Sequence, residues 1–185
     1  EYLTFLEKFP NEEPKAQIGN PVWHIHGGQP PSETSPVSFA LLLNLVSVAN
    51  AENRDQLWGY ISRYAPGASA ETHPLLDRLA GYAMEYYRDF VEPTKSYRAP
   101  DEKERAAMTD LAERLRTWDG PVDAGELQTL TFSVGKEHAF ENLRGWFQAL
   151  YEVLLGQSQG PRFGGFIALY GVEETAKLIE DALAR

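Results

Sequence analysis

Between Phe140 and Leu183 the chain reads FENLRGWFQALYEVLLGQSQGPRFGGFIALYGVEETAKLIEDAL, and this stretch constrains the fold more than any other. Leu143, Trp146, Phe147, Leu150, Tyr151 and Leu154 recur at three- and four-residue spacing, which draws a wide apolar stripe on a helix. Gly156 stands where a left-handed C-terminal cap belongs, because glycine takes positive φ without steric cost. A short apolar helix follows in GPRFGGFIALYG, then a tight glycine turn and a closing helix. So many glycines inside apolar sequence predict a shaped surface.

The same periodicity runs through the rest of the chain. Leu3, Leu6 and Phe9 share one helical face before Pro10. The proline-broken stretch 11–35 reads as an extended, wrapping connection, pinned through Trp23 and Ile25 of VWHIH. In SPVSFALLLNLVSVAN, Ser35 is placed to cap and Pro36 to open a helix apolar on all sides, hence central. Helices over about 53–64, 74–92 and 100–118 follow, with Thr72 or His73 as the cap of the second. LQTLTFSVGKEH has strand-like alternation, but no partner strand exists to pair its backbone. A helix capped by Asp123 is therefore expected there. The sum is an all-α bundle of about seven helices.

Composition narrows the function classes. Cysteine is absent, so there are no disulfides or thiolate metal sites, and a reducing cytosol is compatible. No apolar run approaches the ~20 residues of a membrane helix, and nothing at the start resembles a signal peptide. The chain opens on Glu1 in what reads as mid-helix, as a fragment would. A net charge of −10 opposes simple phosphate binding, although a local basic patch can outvote the global sum. Acidity alone favours a helical protein-interaction domain that binds no RNA.

His24, His26, His73 and His138 are all the histidines, none with HExxH-type spacing, so no metal site is expected. No P-loop, GxSxG elbow or paired carboxylate suited to acid–base work occurs, so no catalytic residue is assigned. HIHGG has the wrong residue order for the HIGH motif of class I synthetases, and no KMSKS loop is found. The binding candidates are Lys136, Arg144, Arg162, Phe163 and Phe166, since unpaired bases are read by stacking on aromatic or guanidinium planes and by edge hydrogen bonds. The two phenylalanines serve equally well as core, with the glycines allowing close helix packing. Asn44 and Ser47, three apart on the central helix, are secondary candidates whose alternative role is to satisfy buried partners.

Three stretches carry a family resemblance: Phe140 to Leu183; NPVWHIHGGQPPSETSPVSFALLLNLVSVANAENRDQLWGYISRYAPG; and THPLLDRLAGYAMEYYRDFVEPTKSYRAP. In this order they resemble the C-terminal end of class I lysyl-tRNA synthetase, the archaeal-type lysine–tRNA ligase also found in some bacteria. The similarity is weakest around WDGPVDAG, Trp118 to Gly125. The resemblance implies a cytoplasmic, α-helix-cage anticodon-binding domain over 36–185, with a C-terminal subdomain at 136–185 and a truncated helix plus linker at 1–35. Its implied partners are the anticodon of tRNA(Lys) and the missing catalytic domain, not DNA or membrane. ATP, with Mg²⁺, would serve that catalytic half, and this fragment would hold no cofactor.

Overall fold

The structure, a computed structural model, describes residues 1–49 and 51–185. Among the described residues there are eleven α-helices and no strand: α1 Tyr2–Lys8, α2 Pro14–Gly19, α3 Pro21–Ile25, α4 Phe39–Ala49, α5 Arg54–Tyr64, α6 Pro74–Tyr86, α7 Glu102–Arg116, α8 Ala124–Glu137, α9 Leu143–Leu150, α10 Phe163–Tyr170 and α11 Val172–Leu183. The all-α expectation holds, with more helices than the seven or so anticipated. LQTLTFSVGKEH lies within α8, whose first turn donates to Asp123 from Gly125 N and Glu126 N at 2.8 and 3.1 Å.

The connection over 11–35 departs from the extended path expected of it. Pro14 and Pro21 each occupy a first helical position, where the missing N–H costs nothing. Asn20 accepts from Val22 N at 2.9 Å and donates to Phe5 O and Glu12 Oε2, which folds the segment onto α1. Val22 is fully buried with Leu6 and Leu75, and Trp23 stacks on Phe9 at 6.1 Å. Ile25 is 64% exposed, so Val22, not Ile25, shares the pinning with Trp23.

Two caps also differ. The central helix begins at Phe39 and not at Pro36, with Ser38 Oγ accepting from Leu41 N at 3.2 Å. For α6, His73 takes the cap position as expected, but its side chain makes no capping hydrogen bond. The Glu33 carboxylate, from the connection, accepts from Leu75 N at 2.8 Å and Leu76 N at 2.9 Å. An acidic group there satisfies orphan donors and suits the helix dipole.

Two apolar cores result. One is formed by α7, α8, α9 and α11, with Trp146 at its centre donating Nε1–H to Thr131 O at 2.9 Å. The other joins α4, α5 and α6 around Leu42, Leu45, Leu57, Ile61 and Leu76. Helix α10 lies between them, buried from Phe163 to Leu169. Its face toward α8 is Gly164, whose N–H donates to Gln128 Oε1 at 2.8 Å. A β-carbon on Gly164 would fall 2.7 Å from Gln128 Cα and closer still to Ala124 O.

The acidic surface is threaded by ion pairs. Arg98 grips Glu104 with Nη1 and Nη2 at 2.6 and 2.8 Å and Glu152 with Nε at 2.6 Å. Arg114 pairs with Asp110 and Glu137, and Arg116 with Glu180. Partial burial raises the Asp110 carboxyl, but hydrogen bonds from Arg114 and His138 outweigh it and hold the group below its ordinary range. Glu137 is held low by its hydrogen bond from Arg114.

Two outcomes follow from this packing. Gly164→Ala is expected to destabilise by at least the ~1–3 kcal/mol typical of overpacking, because backbone atoms of α8 cannot yield as a side chain would; urea unfolding measures it. A carboxyl with a depressed folded pKa contributes stability that is present above its unfolded pKa and lost as pH falls through the folded value. Thermal midpoints should therefore fall below about pH 4.5, and Arg114→Gln should flatten that acid limb in melts between about pH 3 and pH 7.

Candidate nucleic-acid interface

The polar run Gln157-Ser158-Gln159 interrupts apolar sequence between two glycines and joins α9 to α10. A π-helical turn, Tyr151–Leu155, ends α9 and is closed by Gly156 in the left-handed conformation, φ 67°. The loop is then tied down by Ser96 N donating to Gly156 O at 2.9 Å and Gln157 N donating to Tyr151 O at 3.2 Å. The Tyr151 hydroxyl donates to Pro161 O. Burial pushes that phenol well up, so it remains a neutral donor. Gly160 packs flat on the Tyr151 ring, where a β-carbon would fall 2.6 Å from Cζ.

Three depressions surround this loop. The largest, about 640 Å³, lies between Arg98, Thr94 and Gln157. A second, about 370 Å³, is bounded by Arg144, Phe147, Tyr151 and Gly160. The third, about 400 Å³, opens between α4 and the loop, with Asn44 and Gln157 among its walls. Asn44 is 2% exposed. Its Nδ2, Ser47 Oγ and Gln157 Nε2 are buried without a hydrogen-bond partner. Lys95 closes the Ser47 end of α4, donating to Ser47 O at 3.4 Å and Tyr97 Oη at 2.8 Å.

The sequence candidates separate. Arg144 is exposed, lines the second depression and, among the described residues, forms no ion pair. Arg162 is exposed at the start of α10, also without an ion pair among the described residues, but lines none of the three depressions. Lys136 lies on α8 with its ammonium 4.7 Å from the centre of the Phe132 ring, and it too borders none of them.

Phe163 and Phe166 are fully buried, and this corrects their placement as stacking surfaces. They belong to an aromatic series in which Tyr151 meets Phe163 edge-on at 5.7 Å, Phe163 meets Phe166 at 5.3 Å and Phe166 stacks on Tyr170 at 5.5 Å. Enclosed rings offer no face to a base. Asn44 and Ser47 do not satisfy buried partners, since both end unpaired. Gln157, not singled out in the sequence, lines two of the three depressions. The signal was present in the QSQ triplet, which lies between Gly156 and Gly160.

Three of the four histidines have ordinary partners. His26 Nε2 meets Tyr2 Oη at 2.7 Å, His73 Nδ1 meets Thr72 Oγ1 at 2.9 Å and His138 Nε2 meets Asp110 Oδ2 at 3.0 Å. No helix of the described residues is long and apolar enough to cross a membrane.

No family model matches the chain. It is 53% identical over 184 residues to a lysine–tRNA ligase of Roseobacter denitrificans, a match that takes in 100% of this chain and 35% of that protein. To a lysine–tRNA ligase of Rickettsia felis it is 46% identical over 185 residues, and to one of Rickettsia conorii 44%. Each of these covers 99% of this chain and 35% of the relative. From end to end, the chain is thus similar to about one third of the length of the lysine–tRNA ligases that it matches.

Proposed function

We infer that the chain is the C-terminal tRNA-recognition part of a lysine–tRNA ligase of class I, and that it reads the anticodon while another part of the enzyme activates lysine with ATP and Mg²⁺. The observation that carries this is the uninterrupted similarity to lysine–tRNA ligases across the whole chain. In this reading residues 36–185 form the recognition domain, with 136–185 as its C-terminal subdomain, and 1–35 connect it to the catalytic domain. The partners are tRNA(Lys) and that domain, in the cytoplasm. The helical architecture supports the division of labour, since the sequence contains neither HIGH nor KMSKS. The acidic composition is the one feature favouring a protein-interaction module instead, and the similarity to the ligases weighs against it.

Charge arithmetic assigns this part a discriminating role rather than an anchoring one. Arg54, Arg63, Arg88, Arg98, Arg114 and Arg116 are committed to carboxylates, and the net charge of −10 opposes strong phosphate binding by the remaining cations. Arg144 and Arg162 remain available beside the 157–161 loop, Arg144 at the mouth of a depression and Arg162 next to Pro161. Base stacking and edge contacts, at ~1–3 kcal/mol per base, can distinguish anticodons without tight overall binding.

In the intact ligase, Arg144→Ala is expected to lower kcat/KM for tRNA by about tenfold, the equivalent of ~1.4 kcal/mol, and to leave lysine-dependent ATP–pyrophosphate exchange unchanged. The isolated chain should catalyse no such exchange and should bind an anticodon stem-loop weakly, with a shallow salt dependence. Robust exchange by the isolated chain, or equal affinity for lysine and unrelated anticodons, would overturn the assignment.

A further inference from the structure

We propose that the catalytic part of the same ligase docks on one apolar face of this chain, which runs from a groove between α1, α3 and α6 along Tyr82, Tyr86 and Phe90. This rests on the C-terminal assignment above and names the surface through which the two parts meet.

The face is anomalous for so acidic a chain. Among the described residues nine large apolar side chains are exposed, and four of them, Ile25, Tyr82, Tyr86 and Phe90, belong to this face, at 64%, 59%, 46% and 62%. Apolar groups scattered singly need no explanation, whereas a contiguous patch marks an interaction site. Tyr82 and Tyr86 are four residues apart and so project from one face of α6. Phe90, in the π-helical turn Tyr87–Val91 that continues α6, meets Tyr86 with ring centres 5.0 Å apart. Phe39 meets Tyr86 edge-on at 6.1 Å and also borders a groove of about 530 Å³. Tyr2, Ile25, Leu75, Leu79 and Tyr82 complete the apolar walls of that groove. Groove and aromatic strip are therefore one surface.

The length of the relatives and the course of α1 select the occupant. The chain spans 35% of the lysine–tRNA ligases that it matches, so most of such a protein lies outside it. In the C-terminal reading that remainder joins at α1. Tyr2 of α1 is itself a wall of the groove, held there with its hydroxyl 2.7 Å from His26 Nε2. The catalytic part is thereby delivered to the groove. A tethered partner acts at an effective concentration of about millimolar, so a modest apolar patch suffices where two free copies would need a larger one.

The surroundings weigh against RNA as the occupant. Glu85, Asp89 and Glu92 are exposed around the aromatic strip, and Arg88 is paired with Asp89. The groove shares no lining residue with the depressions around the 157–161 loop. Arg78 borders the groove, is exposed and forms no ion pair among the described residues. The matching surface of the catalytic part is therefore apolar, with a carboxylate set against Arg78.

Hydroxyl-radical footprinting of the intact ligase without tRNA, read by mass spectrometry, tests the face. Tyr97 is the internal reference, because it equals Tyr86 in exposure at 46% and packs instead beside Lys95, 2.8 Å from its hydroxyl. Tyr82 and Tyr86 are expected to be oxidised several-fold more slowly than Tyr97 at every protein concentration. Equal reactivity overturns the proposal. Protection lost on dilution assigns the face to a second copy, and protection that arises only with tRNA assigns it to RNA; either result overturns it too. The double variant Tyr82→Glu, Phe90→Glu should expose Ile25 to oxidation and leave pyrophosphate exchange unchanged. Its kcat/KM for tRNA charging should fall about ten- to a hundredfold, the cost of misplacing reactants. Charging and Ile25 oxidation both unchanged would sink the idea. Should the variant fail to fold, the wild-type footprint decides alone. Reactive tyrosines in a ligase that still distinguishes anticodons refute the docking face alone. Protected tyrosines in a ligase indifferent to the anticodon uphold the face and refute the anticodon reading alone.

Discussion

The close crossing of α10 over α8 is the constraint on which the rest of the molecule depends. Helices approach to backbone contact only where a side chain is missing, and Gly164 supplies the gap against Ala124 and Gln128. With α10 seated that deeply, its remaining faces reach both cores. Phe163, Phe166 and Ile167 fill the one built by α7, α8, α9 and α11, while Leu169 enters the one built by α4, α5 and α6. Losing Phe163 or Phe166 to alanine would remove ~3–5 kcal/mol of packing from the join between the two. Tyr170, stacked on Phe166 and Tyr60 at 5.5 Å each, extends the join to α5, and burial pushes its phenol up to about 12.

Seating α10 also places the loop before it. Gly156 turns the chain out of α9, Tyr151 holds Pro161, and the residues between have no freedom to fold back into the core. The QSQ triplet is thereby spread across the end of α4, and the depressions lie on its flanks. The proposed recognition surface is thus a consequence of the core crossing, held by packing.

An acidic domain proposed to read RNA must separate solubility from recognition. Its carboxylates outnumber its cations, and several hold an arginine, two of them shared: Glu104 and Glu152 on Arg98, Asp110 and Glu137 on Arg114, Glu180 on Arg116, Glu174 on Arg63. These exposed pairs contribute little stability individually. Their larger effect is to leave the surface beside the loop to neutral amides and a few unpaired arginines. Such a surface suits the proposed discrimination between bases, because it adds little indiscriminate attraction for polyanions.

Much of the fold was legible in the residues because helix limits and inner faces are local properties. Gly156 closed α9 as read, Asp123 capped α8, and Trp146 and Leu150 of the α9 stripe turned inward, whereas the aromatic residues Tyr82 and Tyr86 on α6 stayed exposed. Periodicity tells which face of a helix is apolar but not what covers it. An α10 apolar on every side therefore left Phe163 and Phe166 undecided between core and surface, and only its neighbours enclosed them. Distance along the chain hid the rest. Glu33 caps a helix that begins some forty residues later, and Asn44 and Gln157, remote in sequence, border one depression. The amino-acid sequence by itself determined an all-helical chain and where most helices stop, since capping and spacing act over a few residues. Which polar groups remained unpaired was decided by tertiary structure, because hydrogen-bond satisfaction is a property of contacts between segments remote in sequence.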